Sequence, residues 1–303
     1  MRYAFIGLGE LGGKLAGSVL RAGFPLVVHD RDAEAVERLT SQGALRAATA
    51  REAAAQADAV FTCLPSPAVS EAVLTGDEGI LAGLAPGGTW IEISTLDRDT
   101  ILRLAARAAA QGVRTLEAPV TGGVHLAAIG AVAVLAGGDA ELVALHRPAL
   151  AAMGREVLHM GPLGTAAVMK VITNMLAFIH LVACGEALML ARRGGLDLAQ
   201  AFHAIRASSG NSFVHETEGQ LILNGSYDVG FTNDLALKDI GFALAFGRAF
   251  GVPLELAALT EQTFMRAKAM FGGGAQSTQV VKLLEDALGT DLRAPGFPAR
   301  LQA

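Results

Sequence analysis

A glycine-rich turn near the start of the chain has the residue types and spacing that hold a phosphate. An apolar, β-prone run at residues 3–6 leads into Gly7, Gly9 and Gly12, and a helical segment follows. Glycine permits a tight turn at the first position, close approach of the backbone to a pyrophosphate at the second, and close packing of helix on strand at the third. Free N–H groups at the helix N-terminus then face the anion. We predict a dinucleotide-binding turn formed by Gly7, Leu8, Gly9, Glu10, Leu11 and Gly12.

Two charged residues after the second predicted strand bear on the choice of dinucleotide. Asp30 and Arg31 directly follow the apolar run 26–29. A carboxylate here accepts hydrogen bonds from the ribose 2′-hydroxyl and repels a 2′-phosphate, whereas an arginine attracts that phosphate. Because Asp30 comes first after the strand, we predict that NAD is preferred and NADP is tolerated. The alternative is that Asp30 only caps the next helix.

The elements that position these residues are visible as a change of pattern along the chain. Up to about residue 160, β-prone runs alternate with helical stretches, which is typical of a parallel sheet covered by helices on both faces. The predicted strands are 3–6, 26–29, 59–64, 89–93, 115–116, 132–135 and 157–159. Beyond residue 164 apolar residues recur at three- and four-residue spacing, which indicates long helices.

The sequence therefore predicts an α/β protein of two domains. Residues 1–163 should form an N-terminal Rossmann-type domain with a doubly wound, mainly parallel sheet. A long helix should join it to an all-α C-terminal domain, residues 164–303, that serves substrate binding and oligomerisation. The turn Gly161-Pro162-Leu163-Gly164 marks the boundary.

Composition excludes several classes of protein. With 52% hydrophobic and 17% charged residues, the chain has ample apolar material for a core. A net charge of −5, with Lys and Arg scattered, argues against nucleic acid or a membrane surface as partner. Cys63 and Cys184 lie in different predicted elements, so no disulfide framework or metal site is expected. Polar residues interrupt the apolar stretch 165–191, and no signal peptide is recognisable, so we expect a cytoplasmic protein.

Further segments extend the pattern beyond the glycine turn. Thr62-Cys-Leu-Pro-Ser66 and Glu92-Ile-Ser-Thr95 each carry a predicted strand into a turn. Together with the glycine turn, they resemble the β-hydroxyacid dehydrogenase family, which includes 3-hydroxyisobutyrate dehydrogenase and tartronate semialdehyde reductase. The resemblance runs from Tyr3 to about Leu288, with Glu10 where relatives often carry an uncharged residue. It implies cofactor contacts at Leu64, Pro65 and Thr95.

A loop in the middle of the chain resembles the substrate loop of that family. Glu117-Ala-Pro-Val-Thr-Gly-Gly123 differs from the usual Asp-Ala-Pro-Val-Ser-Gly-Gly at two positions, and both changes keep the functional group. A hydroxyl beside two glycine N–H groups forms a concave donor site for a carboxylate. We expect Thr121, Gly122 and Gly123 to bind substrate. An ordinary turn rich in Pro and Gly is the alternative.

The segment 164–174, which opens the apolar stretch, resembles the family's catalytic helix. Lys170 and Asn174 match its pattern, whereas Ala166 and Thr173 depart from it. Spacing i,i+4 places Lys170 and Asn174 on one helical face. Burying a lysine among apolar residues costs free energy unless it serves a site or has a partner. The alternative is that the side chain of Lys170 extends along the apolar surface and places its ammonium group in solvent. By resemblance alone, Phe231 and Lys238 contact the cofactor.

The resemblance implies an oxidoreductase that transfers a hydride between NAD(P) and a small 3-hydroxy acid. In the reverse direction it would reduce a semialdehyde such as tartronate, succinic or methylmalonate semialdehyde. Lys170 would move the proton, Asn174 would bind the substrate, and cofactor and substrate would meet at the carboxyl ends of the strands. The long apolar helix favours a homodimer or homotetramer. An imine reductase on the same fold and a non-catalytic dinucleotide-binding protein remain alternatives.

Overall fold

The structure, a computed structural model, describes residues 1–301. The chain divides into two compact units, the first of them Met1–Lys170 and the second beginning at Val171. This division lies within one continuous helix, Thr165–Arg193. The domain boundary after residue 163 that the sequence suggests stays a prediction.

The first unit is built on a mainly parallel sheet. Its strands are β1 (Tyr3–Ile6), β2 (Leu26–His29), β3 (Leu45–Arg46), β4 (Ala59–Thr62), β5 (Thr89–Glu92), β6 (Arg114–Glu117), β7 (Val120–Thr121), β8 (Val132–Gly137) and β9 (Gly154–Gly161). Their order is β3-β2-β1-β4-β5-β6-β8-β7, with β9 beside β8. Strands β1 to β6 pair in parallel, and β8 runs antiparallel to β6 and β7. The predicted sheet is confirmed, but the two-residue strands β3 and β7 were not predicted.

Helices cover both faces of this sheet. They are α1 (Gly12–Arg21), α2 (Ala33–Thr40), α3 (Ala50–Ala55), α4 (Pro67–Thr75), α5 (Arg98–Ala109), α6 (Gly123–Ala128) and α7 (Ala140–Met153). Successive residues of β1 alternate between two apolar clusters, with Tyr3 and Phe5 in one and Ala4 and Ile6 in the other. Because strand side chains alternate between faces, both faces of β1 are buried, as a doubly wound sheet requires.

The second unit is helical. It contains the remainder of α8 (Thr165–Arg193), followed by α9 (Leu198–Arg206), α10 (Phe213–Asn224), α11 (Asn233–Phe250), α12 (Glu255–Phe271) and α13 (Lys282–Leu288). Leu188, Ile222 and Phe264 are among the fully buried residues of its core. In the part of this unit that the structure describes, the sole β-type pairing is an isolated bridge between Thr232 and Gln276. The predicted helical C-terminal region is confirmed.

Helix α8 is long and apolar enough to cross a membrane by length and composition. Its most apolar 18-residue window has a mean hydropathy of 1.8, and 28% of that window is buried. One such helix is weak evidence for a membrane protein, because core helices of soluble proteins pass the same test. Several apolar side chains on the helix are exposed, including Leu176 and Leu190.

A buried histidine joins α7 to the first strand. His146 is 1% exposed, and its Nδ1 lies 3.2 Å from the hydroxyl of Tyr3. Burial, assisted by the positive charge of Arg114, lowers the pKa of His146 from 6.5 to about 4. The imidazole therefore stays neutral in the folded chain over a pH range in which the unfolded chain binds a proton.

This pKa predicts a loss of stability in mild acid. The contribution of His146 is complete above pH 6.5 and is lost as the pH falls towards 4, because protonation then favours the unfolded chain. When the pH is lowered from 7 to 4.5, the unfolding free energy of His146→Gln should fall by about 2 kcal/mol less than that of the native chain. Urea unfolding at both pH values measures this difference. Equal losses in His146→Gln and in the native chain would refute the assignment.

Candidate active site

The three glycines of the turn between β1 and α1 have different surroundings. Gly7 has a φ of +92°, and a Cβ there would overlap the carbonyl oxygen of Cys63. A Cβ on Gly12 would overlap the carbonyl oxygen of Gly7. Gly9 is exposed, and no atom lies within 4 Å of the position that a Cβ would take, so its open side can receive a ligand. The fold requires the outer two glycines, and the open cradle at Gly9 fits a pyrophosphate.

Asp30 supports this turn from the neighbouring strand. Its Oδ2 accepts a hydrogen bond from the N–H of Leu8 at 2.6 Å, and its Oδ1 accepts one from the N–H of Asp32 at 2.8 Å. The cap of α2 is Asp32, which accepts the N–H of Glu34 at 2.9 Å. The structure therefore places Asp30 beside the glycine turn and gives the capping role to Asp32. Arg31 is exposed next to it.

The turns after β4 and β5 are tied together by a buried polar chain. The N–H of Leu64 donates to Ser94 Oγ at 2.7 Å, and the N–H of Ser94 donates to Glu92 Oε1 at 2.8 Å. Burial raises the pKa of Glu92, while the hydrogen bonds from Ser94 act against this shift. These contacts hold the predicted cofactor residues Leu64 and Thr95 on adjacent turns. The contacts of Glu92 and Ser94 could not be predicted from the sequence, because neither residue has a distinctive local pattern.

The predicted substrate loop has an unusual backbone. Thr121 ends β7 and pairs with Ala133 of β8. Gly122 and Gly123 follow with φ values of +125° and +87°, a region that residues with a Cβ rarely adopt. Thr121 is half-buried and Gly123 is exposed, so the loop lies at the surface of the first unit. A shape of this kind is compatible with binding a carboxylate.

Lys170 and Thr95 line the same recess. This narrow recess of the first unit also contains Glu92 and Glu117 in its wall, with apolar walls from Leu96 and neighbouring residues. Lys170 is half-buried in the second turn of α8. The structure thus brings the predicted acid–base residue and a predicted cofactor residue to one place, next to two buried carboxyl groups.

Glu117 makes contacts that its sequence motif does not indicate. Its Oε1 accepts the N–H groups of Gly164 at 2.6 Å and Ala166 at 2.9 Å, and its Oε2 accepts that of Ala167 at 3.0 Å. The side chain is buried, which raises the pKa of Glu117, and the three backbone hydrogen bonds oppose this shift. The partners lie 47 to 50 residues further along the chain.

In the second unit, a buried aspartate connects the other predicted residues. Asn174 donates from Nδ2 to Asp239 Oδ2 at 2.7 Å, and Lys238 forms an ion pair with Asp239 Oδ1 at 3.1 Å. Phe231 stacks on Phe178, with ring centroids 5.9 Å apart. Asp239 thereby organises Asn174 and Lys238. Among the described residues, no group of three His, Cys, Asp or Glu side chains is arranged to hold a metal ion.

Two family models match most of the chain. Residues 2–161 match the NAD binding domain of 6-phosphogluconate dehydrogenase, and residues 164–284 match the domain described as NAD-binding of NADP-dependent 3-hydroxyisobutyrate dehydrogenase. Fold and turn geometry together therefore define a nicotinamide-dinucleotide-dependent oxidoreductase. The chain belongs to the 3-hydroxyisobutyrate dehydrogenase family.

Individual relatives match over nearly the whole chain. The 3-hydroxyisobutyrate dehydrogenase of Pseudomonas aeruginosa is 36% identical over 268 residues, covering 86% of this chain and 90% of that protein. The L-threonate dehydrogenase of Cupriavidus necator is 34% identical, covering 92% of this chain and 94% of that protein. A crystal structure of 3-hydroxyisobutyrate dehydrogenase from Salmonella typhimurium has a TM-score of 0.87 at 29% identity, covering 93% of this chain and 99% of that one. The resemblance drawn from the sequence is confirmed: the chain is an NAD(P)-dependent dehydrogenase of small 3-hydroxy acids.

The different surroundings of Gly9 and Gly12 predict different consequences of the same substitution. Gly9→Ala should fold with native stability, because its methyl group meets no protein atom, but it should weaken NADH binding at least tenfold. Gly12→Ala should lose about 2 kcal/mol of unfolding free energy, because its methyl group meets the backbone of Gly7. Urea unfolding and calorimetric titration with NADH measure both effects. If Gly9→Ala bound NADH with native affinity, the cradle would not be the pyrophosphate site.

Proposed function

We propose that this chain oxidises a small 3-hydroxy acid with NAD or NADP, or reduces the corresponding semialdehyde, with Lys170 as its acid–base group. The observation that carries the proposal is the recess that Lys170 shares with Thr95. Thr95 follows the carboxyl end of β5, which is the edge of a parallel sheet where dinucleotides bind. The residue proposed to transfer the proton and the turn proposed to bind the cofactor therefore line the same recess.

The reaction needs one group that moves a proton and one that holds a carboxylate. When bound, the nicotinamide dinucleotide supplies the hydride acceptor for oxidation or the hydride donor for reduction. In the oxidation, the neutral amine of Lys170 takes the proton of the substrate hydroxyl as its carbon loses a hydride. In the reduction, the ammonium returns that proton to the new alkoxide oxygen. Both directions balance without a metal ion.

The remaining roles follow from the chemistry of each side chain. Thr121, Gly122 and Gly123 are proposed to hold the substrate carboxylate through the hydroxyl and backbone N–H groups. Asn174, one helical turn from Lys170, is proposed to bind the substrate, supported by its hydrogen bond to the buried Asp239. The proposed cofactor residues are the turn Gly7, Leu8, Gly9, Glu10, Leu11 and Gly12, together with Asp30, Arg31, Leu64, Pro65, Thr95, Phe231 and Lys238.

Removing the lysine amine tests the mechanism. Lys170→Ala should lower kcat about 10³-fold and leave the Kd for NADH within a factor of two, because the amine acts in the transition state. Lys170→Arg should be equally slow, since a guanidinium keeps the charge but cannot release a proton near neutral pH. The assay follows NADH formation over a panel of small 3-hydroxy acids. Lys268→Ala, on the exposed face of α12, serves as control.

The outcomes of this assay separate the alternatives. Native turnover in Lys170→Arg would refute acid–base catalysis by the lysine. Reduction of cyclic imines in preference to semialdehydes would identify an imine reductase. Cofactor binding without turnover over the whole panel would identify a non-catalytic binding protein.

The cofactor preference for NAD is proposed to depend on the charge of Asp30. Asp30→Asn keeps an acceptor for the N–H of Leu8 but removes the negative charge that repels a 2′-phosphate. The ratio of kcat/KM for NADP to that for NAD should rise about tenfold, and Arg31→Ala should move it in the opposite direction. Steady-state kinetics with both cofactors measures the ratio. An unchanged ratio in Asp30→Asn would show that the carboxylate only supports the turn.

We also infer that the protein is a soluble, cytoplasmic homodimer or homotetramer. Leu190 of α8 is 76% exposed, and Leu256 and Leu259 of α12 are 65% and 66% exposed. Such apolar surface is typical of faces that are covered by another subunit. Light scattering of the purified protein gives the mass that decides between the two assemblies.

A further inference from the structure

The helix that carries Lys170 begins without a capping side chain of its own. The first turn of any α-helix has N–H groups that no residue of the helix can accept. In α8 the residue before the first helical position is Gly164, which has no side chain to offer. The hydroxyl of Thr165, the first residue of the helix, is directed to the carbonyl of Pro162 at 2.7 Å.

Glu117 supplies this missing cap from the end of β6. Its two carboxylate oxygens accept three N–H groups at the start of the helix, that of Gly164 before it and those of Ala166 and Ala167 in its first turn, over distances from 2.6 to 3.0 Å. A negative charge at a helix N-terminus is favoured by the helix dipole, and charge-assisted hydrogen bonds are stronger than neutral ones. The contact therefore fixes the start of α8 to the sheet.

A second feature of the sheet makes room for this carboxylate. Gly137 of β8 pairs directly with Glu117, and a Cβ at Gly137 would overlap the Glu117 carboxylate. The backbone at Gly137 does not have a positive φ, so its conformation does not itself require glycine. The small residue is needed for the space that the carboxylate occupies.

The helical N–H groups that bond to Glu117 lie one turn before Lys170. Ala166 precedes Lys170 by four residues and Ala167 precedes it by three, so both lie one turn away on the same side of the helix. Glu117 also lines the recess that contains Lys170. Any shift of the first turn is transmitted to the lysine, because a helix moves as a rigid element over one turn.

From this geometry we infer that Glu117 is a positioning residue, whose carboxylate, seated in the space left by Gly137, holds α8 so that Lys170 lies in the recess. The inference rests on the proposed role of Lys170 for its effect on turnover, but not for its effect on the helix. Glu117 itself takes no part in the transfer of proton or hydride.

The test compares a near-isosteric change with a shortened one. In Glu117→Gln the amide group can accept two of the three N–H groups but directs its own N–H towards the third. We expect kcat to fall 10- to 100-fold, since a misplacement of about 1 Å costs about that much, while the KM of the hydroxy acid changes less than threefold. Glu117→Asp keeps the charge and should retain an intermediate kcat. A purely structural role would lower the amount of folded enzyme and leave kcat per folded molecule unchanged.

Gly137→Ala tests the same contact from the opposite side. It should reproduce the kcat loss of Glu117→Gln, because its methyl group displaces the carboxylate. In a Glu117→Ala background the added methyl group should have little further effect, which a double-mutant cycle measures. Gly274→Ala, at an exposed glycine with no atom within 4 Å of its Cβ position, is the matched control.

A readout that is independent of turnover keeps the two proposals separate. Hydrogen exchange, followed by mass spectrometry on peptides covering residues 161–169, should accelerate at least tenfold in Glu117→Gln and Gly137→Ala. Native exchange in both variants would overturn the positioning role, even if the enzyme is active. If the native chain turns over no hydroxy acid, accelerated exchange in the variants would support the cap and the absent turnover would refute the proposed function. Accelerated exchange with native kcat would show that the cap does not position Lys170.

Discussion

The register of the parallel strands around β1 is the constraint on which the site depends. Ile6 stands level with His29 of β2 and with Thr62 of β4. The ladder continues past the strand ends, since Gly7 donates to the carbonyl of His29 and Cys63 donates to that of Ile6. Three turns therefore begin at the same level on one edge of the sheet. A shift of one residue would reverse the faces of a strand and separate these turns.

Carboxylates, two of them buried, hold the segments that leave this edge. Asp30 accepts the N–H of Leu8, Glu92 accepts that of Ser94, and Glu117 accepts those at the start of α8. Each lies at or directly after the end of a strand, where the sheet itself no longer provides acceptors. A buried backbone N–H without a partner is costly, so the carboxylate and the loop stabilise each other. Glu92 and Glu117 thereby support the framework of the site, and Asp30 supports the glycine turn in addition to its proposed part in the choice of cofactor.

The helical unit uses the same kind of contact. Asp239 is buried and holds Asn174 by a hydrogen bond and Lys238 by an ion pair. Removing one partner of such a group leaves a buried charge unsatisfied, which is far more destabilising than the net value of the pair. The three residues therefore form one unit, in which Asp239 keeps the other two side chains in defined positions.

By itself, the sequence determined the features that depend on neighbours along the chain. The order of strand, glycine turn and helix at residues 3–21, the alternation of elements and the change to helical spacing after residue 164 all follow from local backbone preferences and side-chain periods. The strands β3 and β7 were not predicted, because a strand of two residues is too short to show an alternation of side chains. The functions of Glu117, Gly137 and Asp239 were decided only by the tertiary structure. Glu117 and Gly164, Glu117 and Gly137, and Asn174 and Asp239 are separated by 20 to 65 residues along the chain. A hydrogen bond or an overlap between such groups exists only where folding has brought both to the same point in space.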